Sequence, residues 1–172
     1  MKTVIDKAND EVGYLGKASF CCLSDKTSNP GKIGYSKYWS NIFAHDRNRP
    51  FCTAFIYWIF RYAYGMKNAR AMLFCYREFV PEPYRLEERF KKKKRYGDKP
   101  YLGSIIFLKQ YNWTDHVGII VELTDDGFFS VEGNVINEDG IPCVARCFHR
   151  LDENSISGYG YPKYSLLLEK QR

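Results

Sequence analysis

Cys52 is the first residue along the chain whose type and setting could do chemistry. It stands near the start of the apolar run RPFCTAFIYWIF (49–60). Positions 52, 55, 56, 59, 60 and 63 are Cys, Phe, Ile, Ile, Phe and Ala, one helical face, with Pro50 just upstream and Gly65 as a stop. A thiol in the first turn of a helix feels the positive end of the helix dipole, which favours thiolate. A neighbouring imidazole would complete an ion pair and could later protonate a leaving amine. Taken alone, Cys52 reads first as core, because free cysteine is among the most buried residue types.

Three histidines could partner it: His45, His116 and His149. Geometry favours His116. The segments HVGIIVEL (116–123) and GFFSVEGN (127–134) alternate apolar and polar residues and read as two strands joined by a turn at LTDDGFF. A three-residue loop, Asp125-Asp126-Gly127, would set Ile120 opposite Glu132, Gly118 opposite Asn134 and His116 opposite Ile136. Even-numbered residues of both strands then share a face, and His116, Glu132 and Asn134 gather at the open end of the hairpin. A two-residue turn would slip the parity by one and turn His116 away. An imidazole also needs an acceptor to fix its ring, and Glu132 and Asn134 offer a carboxylate and an amide.

The surrounding elements must bring Cys52 to that strand end. Thr3 with Asp6 is a capping-box-like helix start, followed by the stripe Val4, Ala8, Val12 and Leu15. Residues 24–36 read as loop, and YSKYWSNIF (35–43) as a short helix packing Tyr38 and Trp39. After the Cys52 helix, Asn68 can cap ARAMLFCY and Pro83 can open YRLEERFKKKK. Beyond Pro100 the period changes to two: 104–108, 116–123, 127–134 and 142–149 read as strands, and ISGYGYPKYSLLL closes the sheet. Helices first and a mostly antiparallel sheet afterwards make an α+β fold in a single domain over residues 1–172. No repeat, linker or low-complexity tract divides it.

Bulk properties narrow the classes. An apolar content of 45% over 172 residues supports a full core, and no apolar run reaches the length of a membrane span. The N-terminus has no apolar signal-peptide core and no small-residue cleavage site. Six cysteines without a secretion signal are expected as thiols, with no disulfide framework. A zinc site on Cys143, Cys147 and His149 fails on distance, since four residues of strand separate the thiols by about 13 Å. The net charge is +6, concentrated in Lys91, Lys92, Lys93, Lys94 and Arg95. Such a run reads first as a solvated helix end, where cations are favourable, and it is too local for a nucleic-acid footprint. An anionic polymer would still be attracted to it.

The order of these segments resembles the CHAP domain, the cysteine- and histidine-dependent amidohydrolase/peptidase family of bacterial and phage cell-wall enzymes. The segments are ANDEVGYLGKAS (8–19), YSKYW (35–39), PFCTAFIYWIFRYAYG (50–65), DHVGIIVE (115–122), FFSVEGNV (128–135) and GYGYPKY (158–164). The resemblance implies a papain-like α+β fold, with Cys52 as nucleophile, His116 as base, Glu132 orienting the histidine and Asn134 as a fourth polar member. The Cys52 N–H would contribute to an oxyanion hole, with the second donor open. Two departures stand out: Phe51 replaces the usual Trp before the cysteine, and Leu102-Gly103-Ser104 replaces the usual Pro-Gly-Asp before the first strand. Some relatives bind calcium in an acidic loop; no Asp-rich series precedes Cys52 here, so no metal and no cofactor are expected.

The resemblance implies an endolysin-like peptidoglycan hydrolase, either an N-acetylmuramoyl-L-alanine amidase or a stem or cross-bridge endopeptidase. Expected with it are a monomer, synthesis in the cytoplasm without a signal peptide, and action on the wall after release or non-Sec export. Anionic wall polymers would be met by Lys91–Arg95; neither nucleic acid nor membrane insertion is expected. Two other readings remain: a non-catalytic wall-binding module that keeps the fold, and a cytoplasmic cysteine amidohydrolase with another substrate.

Overall fold

The computed structural model describes residues 3–40, 49–75, 79–110 and 113–168. Helix α1 (Val4–Glu11) starts as its sequence dictates. Thr3 accepts from the Asp6 amide while the Asp6 carboxylate takes the Thr3 N–H, the reciprocal pairing of a capping box. The short α2 (Lys37–Ser40) buries Tyr38 and Trp39.

Helix α3 (Cys52–Tyr64) carries the apolar run. The sequence predicts a single apolar face, but every residue from Cys52 to Phe60 is buried. Phe55, Ile56, Ile59 and Phe60 have no exposed surface, and each such burial stabilises the fold by about 1.5–3 kcal/mol. Packing on all sides explains why the helix holds although Phe51, at its N-cap, offers no side-chain cap. Gly65, at φ 79°, both ends α3 and opens α4 (Met66–Met72). Asn68 therefore lies inside α4 rather than capping it, and its amide donates to the Tyr64 carbonyl instead. Helix α5 (Pro83–Lys92) begins with proline at its first position, where the missing N–H costs nothing.

Six antiparallel strands follow: β1 (Tyr96–Gly97), β2 (Ile105–Gln110), β3 (Trp113–Leu123), β4 (Gly127–Ile136), β5 (Pro142–Arg150) and β6 (Ile156–Gly160), and then a last helical turn α6 (Ser165–Leu168). Their order in the sheet is β1-β6-β2-β3-β4-β5. The fold class is α+β, as the change of period predicts; β1 has no signal in the sequence. One face of the sheet (Ile105, Phe107, Val117, Ile119, Val131, Val144) joins α3 in the main core. Ile106, Leu108, Ile120, Phe128 and Tyr159 form a smaller cluster of their own. Buried Glu87 ties α5 to the sheet, accepting from Tyr96, Ser157 and Thr114.

The β3–β4 hairpin departs from the expected register. Gly127 is the first residue of β4, and residues 124–126 make the turn, with the Thr124 N–H donating to the Gly127 carbonyl. Next to this turn Leu123 pairs with Phe128, which sets odd against even and would turn His116 away from Glu132. A bulge between Ile120 and Glu122 then absorbs one residue. Beyond it Ile120 pairs with Ser130 and Gly118 with Glu132, so even faces even again, two residues off the expected pairing.

Two glycines set close approaches. A Cβ on Gly118 would lie 2.6 Å from Glu132 Cγ, so the Glu132 side chain passes over this position. A Cβ on Gly133 would lie 2.7 Å from Phe55 Cβ, so the strand meets α3 through a bare backbone. Gly133→Ala should push α3 off β4 and destabilise the protein by about 1–3 kcal/mol, read as a lower thermal midpoint.

Candidate active site

Cys52 opens α3, and its N–H is one of the amides at the helix start that have no intrahelical partner. The preceding amide, of Phe51, donates to Asn134 Oδ1 at 3.3 Å. Asn134 sits at the bulge where β4 slips against β5, with φ 68°, a conformation asparagine tolerates better than most residues. It thus ties the helix start to the sheet. The imidazole's acceptor is Glu132 alone of the two candidates.

His116 joins helix to sheet. Its Nε2 lies 2.8 Å from Glu132 Oε2, and Cys52 is near enough to interact with the ring. With Nε2 so engaged, Nδ1 is the nitrogen left for the thiol. Burial alone would lower the imidazole's pKa; its interactions with Cys52 and Glu132 outweigh it and raise it to about 10. The Glu132 carboxylate is 3% exposed. Desolvation opposes its ionisation, but hydrogen bonds from His116, His149 and Ser130 hold it well below the usual carboxylate range.

Cys52, His116 and Glu132 are thus grouped, the last two hydrogen-bonded, and Asn134 stands beside them, on the backbone. Two participants were not assigned to this site from the sequence. Ser130 Oγ donates to Glu132 Oε1 at 2.5 Å, and His149 Nε2 lies 2.7 Å from the same oxygen. Their signal was parity: Ser130 is even like Glu132, and His149 shares its strand parity with Ala145, which pairs with Glu132. His45 lies outside the described residues.

Cys52 also lines a cleft of about 470 Å³, together with Trp39, Arg49, Glu82, Tyr84 and Trp113. Trp113 is 63% exposed and Tyr84 42%, so aromatic surface stands open beside the thiol. Burial raises the thiol pKa of Cys75 and Cys143, and that of Cys147 is pushed up to about 12 by burial and the nearby Glu132 charge. The cation run is less available than its composition suggests. Lys91 pairs with Glu87 at 2.9 Å and Lys92 with Glu88 at 3.6 Å, while Arg95 donates to the Tyr161 and Pro162 carbonyls. Lys93 and Lys94 have no ion pair among the described residues.

The fold and this line of groups define the class first: an α+β protein that sets a helix-borne cysteine against a strand-borne histidine and its carboxylate. Residues 44–134, a little over half of the chain, match the profile of the CHAP domain, and the chain belongs to that family. CHAP domains are generally cysteine-dependent hydrolases, and the family points to amidase or peptidase action on peptidoglycan. Curated proteins give no match. Among solved structures, the crystal structure of Ly7917 is similar with a TM-score of 0.53 and 13% identity. That likeness covers 92% of this chain and 61% of the other, so the chain spans less than two thirds of that relative. It speaks for the fold alone.

Proposed function

We propose that the chain hydrolyses an amide bond of peptidoglycan through Cys52 and His116. The observation that carries this reading is the His116–Glu132 pair set beside Cys52, which itself lines an open cleft. The Cys52 sulfur, as thiolate, forms a bond to the amide carbonyl carbon. The Cys52 N–H, at the positive end of α3, faces the charge that develops on the carbonyl oxygen. As the C–N bond breaks, the His116 imidazolium gives its proton to the departing amine. Water then attacks the thioester and yields its proton to His116; the C–S bond breaks and the carboxyl product leaves. Glu132 keeps the ring aimed throughout, and Asn134 holds the start of α3 in place. The bond is either the muramoyl–alanine amide or one in the stem or cross-bridge peptide.

Sacculi from several bacteria, incubated with the protein under reducing conditions, should release fragments whose new ends, identified by mass spectrometry, name that bond. Intact walls from every source would remove the proposal.

Lys93 and Lys94 are the cations of the basic run left to attract anionic wall polymers. Exchanging both for glutamine should weaken sacculus binding, most at low salt, where exposed charges are least screened. Binding that is unchanged at all ionic strengths would exclude the contribution.

A further inference from the structure

Glu132 serves a second imidazole. His149 on β5 is 8% exposed and stacks on Phe128, the ring centroids 5.5 Å apart. Its Nε2 lies 2.7 Å from Glu132 Oε1, and its Nδ1 lies 3.0 Å from Glu153 Oε2. Ionised carboxylates only accept, so both bonds form only if both ring nitrogens carry protons. His149 is then an imidazolium held between two anions. Ser130 donates to the Glu132 end and Ser155 to the Glu153 end. Cys147, of matching parity on β5, and Tyr159 of β6, whose phenol burial pushes up to about 12, stay neutral, while the adjacent Arg150 is paired with Asp152. Charge therefore alternates from His116 to Glu132 to His149 to Glu153.

We propose that His149 is a positioning residue for the Cys52–His116 pair: clamped between Glu132 and Glu153, it pins Glu132 Oε1 and so keeps Oε2 on His116 Nε2. The last torsion of a glutamate side chain is soft, and a carboxylate with one ring to serve would be free to swing about it. Anchoring one oxygen fixes the other, which fixes the imidazole and aims its free nitrogen at the thiol. This inference rests on Cys52 and His116 being the reacting pair.

The test reads that pair without needing turnover. Iodoacetamide labelling of Cys52 at about pH 6 is followed by peptide mass mapping in native protein, His149→Phe and His149→Gln, beside nitrogen-15 NMR of the imidazoles. Phenylalanine keeps a ring on Phe128 and removes the donors; glutamine restores one N–H toward Glu132. Both ring nitrogens of His149 should be protonated at about pH 7.5, above the ordinary range for histidine. Labelling should slow about tenfold in His149→Phe and return to within about threefold of native in His149→Gln, a loss of the size that outer partners of reactive groups give. Native-rate labelling in a folded His149→Phe, or a neutral His149 ring, would overturn the inference. Should His149→Phe not fold, Glu153→Gln, at the more exposed end of the clamp, should slow labelling and lower the pH at which His149 titrates; no change in either would equally overturn it. Labelling as expected without cleavage of any wall would support the clamp and remove only the hydrolase reading. Native Cys52 labelled no faster than Cys75 would remove both.

Discussion

Glu132→Gln should lower wall hydrolysis by about 10³-fold and the unfolding free energy by about 3 kcal/mol. The carboxylate accepts from His116, His149 and Ser130 at 2.8, 2.7 and 2.5 Å, and an amide has a single oxygen for three donors. Its NH₂ group must face one of them. Turned toward His116, it would demand an unprotonated Nε2, the wrong tautomer for a ring whose other nitrogen must take the thiol's proton. Turned toward Ser130 and His149, it would leave a buried imidazolium without its counter-charge. Both orientations lose activity, and both cost stability, because breaking a buried charge network strands the remaining partner. Kinetics on sacculi and a denaturant titration measure the two effects; native values in both would mean that Glu132 does not hold the ring.

His116→Gln should reduce hydrolysis by about 10³-fold or more, since the group that moves the proton is gone. It should also change the pH dependence of stability in a defined direction. The His116 pKa rises on folding from 6.5 to about 10. The folded state thus binds the proton more tightly, so the contribution is complete below about 6.5 and fades as pH rises through about 10. His149, raised for the same kind of reason, acts in the same direction. Glu132 works oppositely: its pKa falls on folding, so its contribution is present above about 4.5 and is lost only in strong acid. The native protein should therefore lose thermal stability between about pH 7 and pH 10 more steeply than His116→Gln. Parallel curves would show that His116 is not charged in the fold.

Much of this arrangement is legible in the residues, and the remainder is hidden for physical reasons. Helix α3 announces itself through its 3.6-residue apolar period, which places Cys52 in its first turn. The burial of its other faces comes from α1, α2, α4, α5 and the sheet, long-range contacts that a local period does not report. On the hairpin, alternation gave the right face for His116 and Glu132 through the wrong pairing. The turn and the bulge at Val121 each shift the register by one, and a bulge has no fixed residue signature. Asn134 shows the limit of parity: at φ 68° in its own bulge, it sends its oxygen to Phe51 rather than to the histidine. His149 was visible only as one of three histidines and as a rejected zinc ligand. Its place on Glu132 depends on the β4–β5 register, which joins segments separated by a turn of unknown geometry.

Wall hydrolysis by native protein and by Cys52→Ala, side by side under reducing conditions on the same sacculi, tests the central claim most directly. Alanine leaves α3, the Phe51–Asn134 bond and the His116–Glu132 pair in place and removes only the sulfur. Fragments should appear with the native protein and fall by at least about 10³-fold with Cys52→Ala, while both bind the wall. Equal release by the two proteins would contradict a cysteine nucleophile.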